Sequence, residues 1–280
     1  MKKTLLIVGA FLLAQVIAGI IIALPQIIEI ASQTASQTAT PATDIEVTPS
    51  SSALLWALMI SDIIIIVATI LICRKGFAEP FRWKMPAAKG VLFVVLSLVC
   101  TAALVVLVEA LAEWIDVPDY MADTFQSLSL NPIALWAIAI IGPLSEEVAC
   151  RYGIVGSLRE KNWAPWAAIL LSAALFAVLH LNPSQMLVAF IIGLLLGWLY
   201  IITRSLWPCI ICHVANNAVS VLIMRSNPDA SPDEQTLTSF FGSGTLYTVL
   251  LCGAAVVFVL TVIALRKLAL SFSDTRPKTL

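Results

Sequence analysis

Five side chains capable of proton chemistry stand in a sequence that is otherwise strongly apolar. They are Glu146, Glu147 and Arg151 in "IGPLSEEVACRYG", His180 at the end of "FAVLH" and His213 at the start of "HVANN". The chain contains only two histidines, so both belong to this set. On a helix, at about 100° per residue, Glu147 and Arg151 lie about 40° apart with the acid first, the order that favours an i, i+4 ion pair. Glu146 points about 140° away from Arg151 on the same wheel and keeps a carboxylate free for proton transfer. A glutamate in an apolar site, aided by an imidazole, can take a proton from water and return it to a leaving amine. His213 and Asn217 are four residues apart, on one helix face, where an imidazole and an amide can donate to a developing oxyanion. Together these roles describe hydrolysis by activated water.

The elements that must position them are membrane helices. Of the 280 residues 60% are apolar and 12% charged, a balance from which no water-soluble surface can be built. Apolar runs long enough to cross ~30 Å of hydrocarbon recur at about 4–24, 53–73, 90–112, 132–156, 164–181, 187–203, 207–224 and 245–265. The expectation is an all-α, polytopic bundle of about eight transmembrane helices. It forms a single integral membrane domain over 1–280, with a motif-bearing core at about 132–224. Ionisable groups at that depth are costly, which makes each one a functional candidate. Gly142 and Pro143, just before the two glutamates, permit irregular backbone where protein lines a cavity.

Charge sets the topology. Of the 16 lysines and arginines, all but Arg151 and Arg225 fall on alternate connections or at the termini, whereas the opposite connections carry acids such as Glu113, Asp116, Asp119 and Asp123. The positive-inside rule then predicts both termini in the cytoplasm. A net charge of −1 gives no reason to expect a nucleic-acid partner. The N-terminal apolar run is too long for a signal peptide and no clear A-x-A site follows, so it reads as a retained first helix. The Ser/Thr/Ala-rich stretch within 25–52, with its repeated "ASQT", reads as a flexible external loop.

Some residues admit other readings. Cys209, Cys212 and His213 spell C-x-x-C-H, a haem-attachment signature. That reading is disfavoured, because it needs thiols on the extracytoplasmic face and the topology puts them near the opposite one. The six cysteines read as packing residues rather than a disulfide framework. Asp62, in the middle of the second span, belongs to no motif and reads as an acid satisfied by a neighbouring helix, with a proton relay as the rival. Counting ~1.5 Å per residue from the cytoplasmic span ends places Glu146, His180 and His213 about 15, 24 and 9 Å deep, which do not coincide.

The motifs resemble a known family. "EEVACR" fits E-E-x-x-x-R, "FAVLH" fits F-x-x-x-H and "HVANN" fits H-x-x-x-N, in the order and on the separate helices of the CPBP intramembrane proteases, also called the Abi or CAAX-protease family. The family includes type II CAAX prenyl endopeptidases and relatives linked to bacteriocin processing or self-immunity. The resemblance implies Glu146 as general base, His180 as its helper on the same water, and His213 with Asn217 as the oxyanion hole. Glu147, Arg151, Phe176 and Asn216 support them. It implies a membrane-anchored or hydrophobic peptide as substrate, and a bacterial cytoplasmic membrane as the location. Family members often carry an aromatic before the motif arginine and a glycine after it. This chain has Cys150 and Tyr152, with glycine delayed to Gly153. The family is commonly labelled metalloprotease although a metal-free mechanism has been argued. No H-E-x-x-H is present, metal-free chemistry is favoured, and any zinc would fall to Glu146, His180 and His213. The alternative is a non-catalytic immunity factor or proton-coupled transporter built on the same polar groups.

Overall fold

The computed structural model of the chain describes residues 1–35, 50–74, 81–83, 85–229 and 236–273. They form helices with no strand among the described residues: α1 Lys2–Ala35, α2 Ser51–Cys73, α3 Ala87–Trp114, α4 Ala122–Ser129, α5 Ala134–Glu160, α6 Pro165–Val178, α7 Pro183–Thr203, α8 Trp207–Ser226, α9 Leu237–Phe241 and α10 Thr245–Ser273. The all-α membrane bundle expected from the apolar runs is the observed fold. Six helices are long and apolar enough to cross a membrane, or up to seven when the bent pair α4 and α5, 118° apart, is taken as one broken span. The two expected spans that fall short do so for readable reasons. Helix α5 carries too many charges to pass alone, and α6 has 14 residues, about 21 Å, because the chain turns before Asn182–Pro183, where the residue preceding proline avoids helical backbone.

The expected loop at 25–52 differs as well. Helix α1 runs on through Pro25 to Ala35, and Ser50 caps α2 by accepting from the Ala53 N–H at 3.2 Å. The part of that loop at 36–49 lies outside the described residues.

Helix α5 is wound unevenly. It is π-helical over Ala137–Ile141 and again over Val148–Val155, with α-helix between them at Gly142–Glu147. The Gly142 N–H reaches back five residues to the Ala137 carbonyl. Glycine leaves that oxygen free, where a Cβ would make a tight contact at 3.2 Å. Such wide turns concentrate at functional sites because their spare carbonyls take other partners. Here Ile138 O accepts from Asn217 Nδ2 at 3.1 Å on α8, and Cys150 O accepts from Ser172 Oγ at 3.0 Å on α6.

The two larger cores adjoin at Tyr200 of α7, which packs against both. One packs α1, α2, α5 and α6 through Ile7, Phe11, Ile65, Ile154, Leu158 and Phe176. The other packs α3, α7, α8 and α10 through Phe93, Leu196, Leu199, Cys209, Cys212 and Leu265. Five of the six cysteines are buried and all are free, in keeping with a packing role. The connections that charge assigns to one side meet one another. Lys3 Nζ lies 2.6 Å from Glu160 Oε2 and Trp207 Nε1 donates to Phe81 O at 2.6 Å, while at the other end Gln126 Nε2 donates to Asn227 O at 2.9 Å.

Helices α6 and α7 approach through small residues, the device by which membrane helices gain contact area. A Cβ on Gly193 would meet Ala173 Cα at 3.3 Å and Phe176 Cδ1 at 3.3 Å, atoms without room to retreat. Gly193→Leu is therefore expected to lower stability by about 1–3 kcal/mol and to displace Phe176. A thermal melt in detergent checks this, and an unshifted melting point contradicts it.

Candidate active site

The carboxylate of Glu146, with a side chain 19% exposed, lies between the two imidazoles. Its Oε1 is 3.9 Å from His180 Nε2 and its Oε2 is 3.5 Å from His213 Nε2. The discordant depths found by counting residues disappear for local reasons. Helix α6 ends at Val178, so His180 stands on the turn beyond it rather than within a span, and α5 is bent away from α4 and widened by its π-turns.

Each imidazole is oriented through its other nitrogen. His180 Nδ1 lies 2.8 Å from Phe176 O. A carbonyl only accepts, so Nδ1 carries the hydrogen and, in the neutral ring, Nε2 is a bare acceptor facing Glu146. His213 Nδ1 lies 2.9 Å from Glu147 Oε1, which likewise fixes the hydrogen on Nδ1. Glu147 and Arg151 form the expected i, i+4 pair, fully buried, with Nη1 3.0 Å from Oε1. That contact is one of charge rather than of aligned hydrogen bonding: Nη1, Nε and Glu147 Oε2 have no hydrogen-bond partner among the described protein atoms. Arg151 Nη2 donates to Gly193 O at 3.4 Å. One oxygen of Glu147 therefore faces both Arg151 and His213, a second task invisible from spacing along one helix.

Phe176 sits at the centre. Its ring stands edge-on to His180 at 4.8 Å and to His213 at 5.7 Å, and Arg151 Cζ lies 4.8 Å from its centroid. It packs against both imidazoles and gives the buried guanidinium a π-face. Asn217 is held by α5 through Ile138 O, and Asn216 Nδ2 donates to Asn217 Oδ1 at 3.2 Å. The Asn217 amide nitrogen has a second hydrogen to offer. No hydrogen bond joins Asn217 to Glu146 or to either histidine among the described residues.

Asp62 has the partner expected of a satisfied acid: Ser145 Oγ donates to its Oδ1 at 2.6 Å. The C-x-x-C-H pattern is occupied otherwise. Cys209 Sγ donates to Leu196 O at 3.2 Å, Cys212 is buried, and both nitrogens of His213 face glutamates. Among the described residues no three His, Cys, Asp or Glu side chains are disposed to hold a metal ion. The candidate zinc set Glu146, His180 and His213 does not fit as arranged, and no step below is routed through a metal.

The membrane helix bundle thus brings one glutamate within 3.9 Å of two oriented imidazoles. Residues 128–219 match the family described as type II CAAX prenyl endopeptidase, Rce1-like, so the resemblance read from the motifs holds over the stretch that carries them. The chain is 31% identical over 107 residues to YdiL of Bacillus subtilis, whose name describes it as a membrane peptidase, covering 38% of this chain and 43% of that protein. It is 32% identical over 104 residues to MroQ of Staphylococcus aureus, named as a membrane-embedded CAAX protease, covering 35% and 42%. The chain thus spans about two fifths of the length of the curated relatives it matches. No solved structure matches it. The protein is an integral membrane protein that resembles the CAAX proteases.

Proposed function

We propose that this protein is an intramembrane endopeptidase that cleaves a peptide bond of a membrane-held substrate, in a bacterial cytoplasmic membrane with both termini inside. The observation that carries this reading is the placement of Glu146 between two imidazole Nε2 atoms delivered by separate elements, at 3.9 and 3.5 Å. Two acceptors 3.9 Å apart, Glu146 Oε1 and His180 Nε2, are close enough for one water oxygen to reach both. Such a water donates a hydrogen to each and turns a lone pair outward as the nucleophile. As its oxygen bonds the scissile carbonyl carbon, Glu146 takes the proton, then delivers it to the amine as the C–N bond breaks.

The negative charge that develops on the carbonyl oxygen needs donors already in place. His213, with its Nδ1 held by Glu147, supplies one when protonated at Nε2, and the second amide hydrogen of Asn217 supplies another. Glu147 thus orients one imidazole, while Arg151 balances the charge of Glu147. The resemblance and the relatives' names support a substrate carried by a lipid or a hydrophobic segment: a CAAX-type tail, a leader peptide or a similar segment.

The test is cleavage of a peptide panel by protein in liposomes, covering prenylated tails, leader sequences and transmembrane segments, with metal analysis alongside. His180→Ala and His213→Ala are each expected to fold and to lose turnover by about 10²–10⁴. Unchanged turnover in either removes its role. Cellular protection, or proton-coupled uptake dependent on Asp62, that survives Glu146→Gln would point instead to the immunity factor or the transporter.

A further inference from the structure

Asn182 is fully buried and stands at the N-cap of α7, yet it does not cap that helix. An asparagine at an N-cap ordinarily turns its oxygen to a free N–H of its own first turn. Here the side chain is spent across the bundle. Its Nδ2 donates to Asp119 Oδ1 at 2.9 Å, and its Oδ1 accepts from the Tyr120 N–H at 3.1 Å. Asp119 Oδ1 also accepts from the Met121 N–H at 2.9 Å, and the Ser184 N–H donates to Pro118 O at 3.2 Å. Three hydrogen bonds thus fasten the link between α3 and α4 to the turn that carries His180, and the Met121 bond holds Asp119 within the link.

That turn is not relaxed backbone. Leu181, between His180 and Asn182, has φ +54°, a left-handed conformation that a residue with a Cβ holds only when its surroundings impose it. Its own side chain is 84% exposed, so packing of that side chain does not impose it. What surrounds it does: on one side the His180 ring is tied to Phe176 O, and on the other Asn182 is tied to Asp119 and Tyr120.

We propose that Asn182 and Asp119 form a positioning pair that holds the 180–184 turn so that His180 Nε2 faces Glu146. The α3–α4 link, outside every sequence motif, thereby becomes part of the frame of the active site. This rests on His180 acting on water as described above. Neither residue touches the reacting atoms; both act through the backbone of the turn.

The chemistry of the pair supplies its own test. Asn182→Asp keeps the acceptor for Tyr120 but sets a carboxylate against that of Asp119. Asp119→Asn combined with Asn182→Asp exchanges donor and acceptor, rebuilding the bond between the two side chains and keeping the acceptor for Tyr120, while the Met121 N–H gives up the oxygen it shares in the wild type. In liposomes, the single variant is expected to lose about 10²-fold in kcat with KM little changed, and the double variant to regain it. A second readout is independent of cleavage. With only two histidines in the chain, nitrogen-15 histidine spectra report His180 directly. Wild type and double variant should show the Nδ1–H tautomer, and the single variant a tautomer average. A wild-type spectrum and kcat in the single variant, or a double variant that restores neither, overturns the proposal. A protein that cleaves no peptide, yet whose His180 signal follows this pattern, retains the positioning pair and loses the peptidase reading.

Discussion

Replacing Glu146 by glutamine is expected to remove cleavage almost completely, lowering kcat by about 10²–10⁴ while leaving the bundle folded. Glutamine fills the same volume, and its oxygen still accepts from a water, so the nucleophile remains seated. What is lost is the group that receives the proton as the water attacks and returns it to the amine. KM should hold within a small factor, because the carboxylate acts on water and on the transition state rather than on the bound peptide. Glu146 is partly exposed and makes no hydrogen bond of its own among the described residues, so little stability depends on its charge. The measurement is steady-state cleavage in liposomes with a melting curve on the same preparation. Turnover near wild type in a folded Glu146→Gln protein would remove general-base catalysis from this site.

The second large effect falls on stability. Arg151→Met strips the buried Glu147 of its cation, and breaking such a pair at one end is expected to destabilise the protein by about 3–5 kcal/mol. The guanidinium also donates to Gly193 O and covers the Phe176 ring, contacts the thioether replaces only in part. Combining Glu147→Leu with Arg151→Met removes both charges together, and much of the stability should return. Activity should not return, because Glu147 also holds His213 through Nδ1 at 2.9 Å. Thermal unfolding of the three proteins, with cleavage assayed beside it, separates the two tasks of Glu147. A single variant that melts with the wild type, or a double variant that cleaves normally, contradicts the assignment.

What could be read in the sequence was local. Helices announced themselves by runs of apolar residues, and the Glu147–Arg151 pair by four-residue spacing, since both depend only on geometry within one segment. Convergence of Glu146 with two histidines was suggested by residue type, while residue counting argued against it. Counting assumes straight, uniform helices, and here Ala137–Ile141 is π-wound and α6 ends before His180. Contacts between helices, such as Glu147 with His213 or Asn182 with Asp119, depend on how each helix is rotated against its neighbours. An apolar sequence holds little record of that rotation.

The unequal burial of the helices bears on how such a chain can change over generations. In α7 44% of the spanning window is buried, against 22% in α1 and 17% in α10. A residue facing hydrocarbon can exchange Leu for Val, Ile or Phe with little penalty, because lipid adapts to any apolar shape, whereas a residue packed against protein meets fixed neighbours. Substitutions in α1 and α10 are therefore expected to be tolerated more widely than substitutions in α7. The family match, over 128–219, runs from α4 into α8 and includes α7, the most buried of these spans.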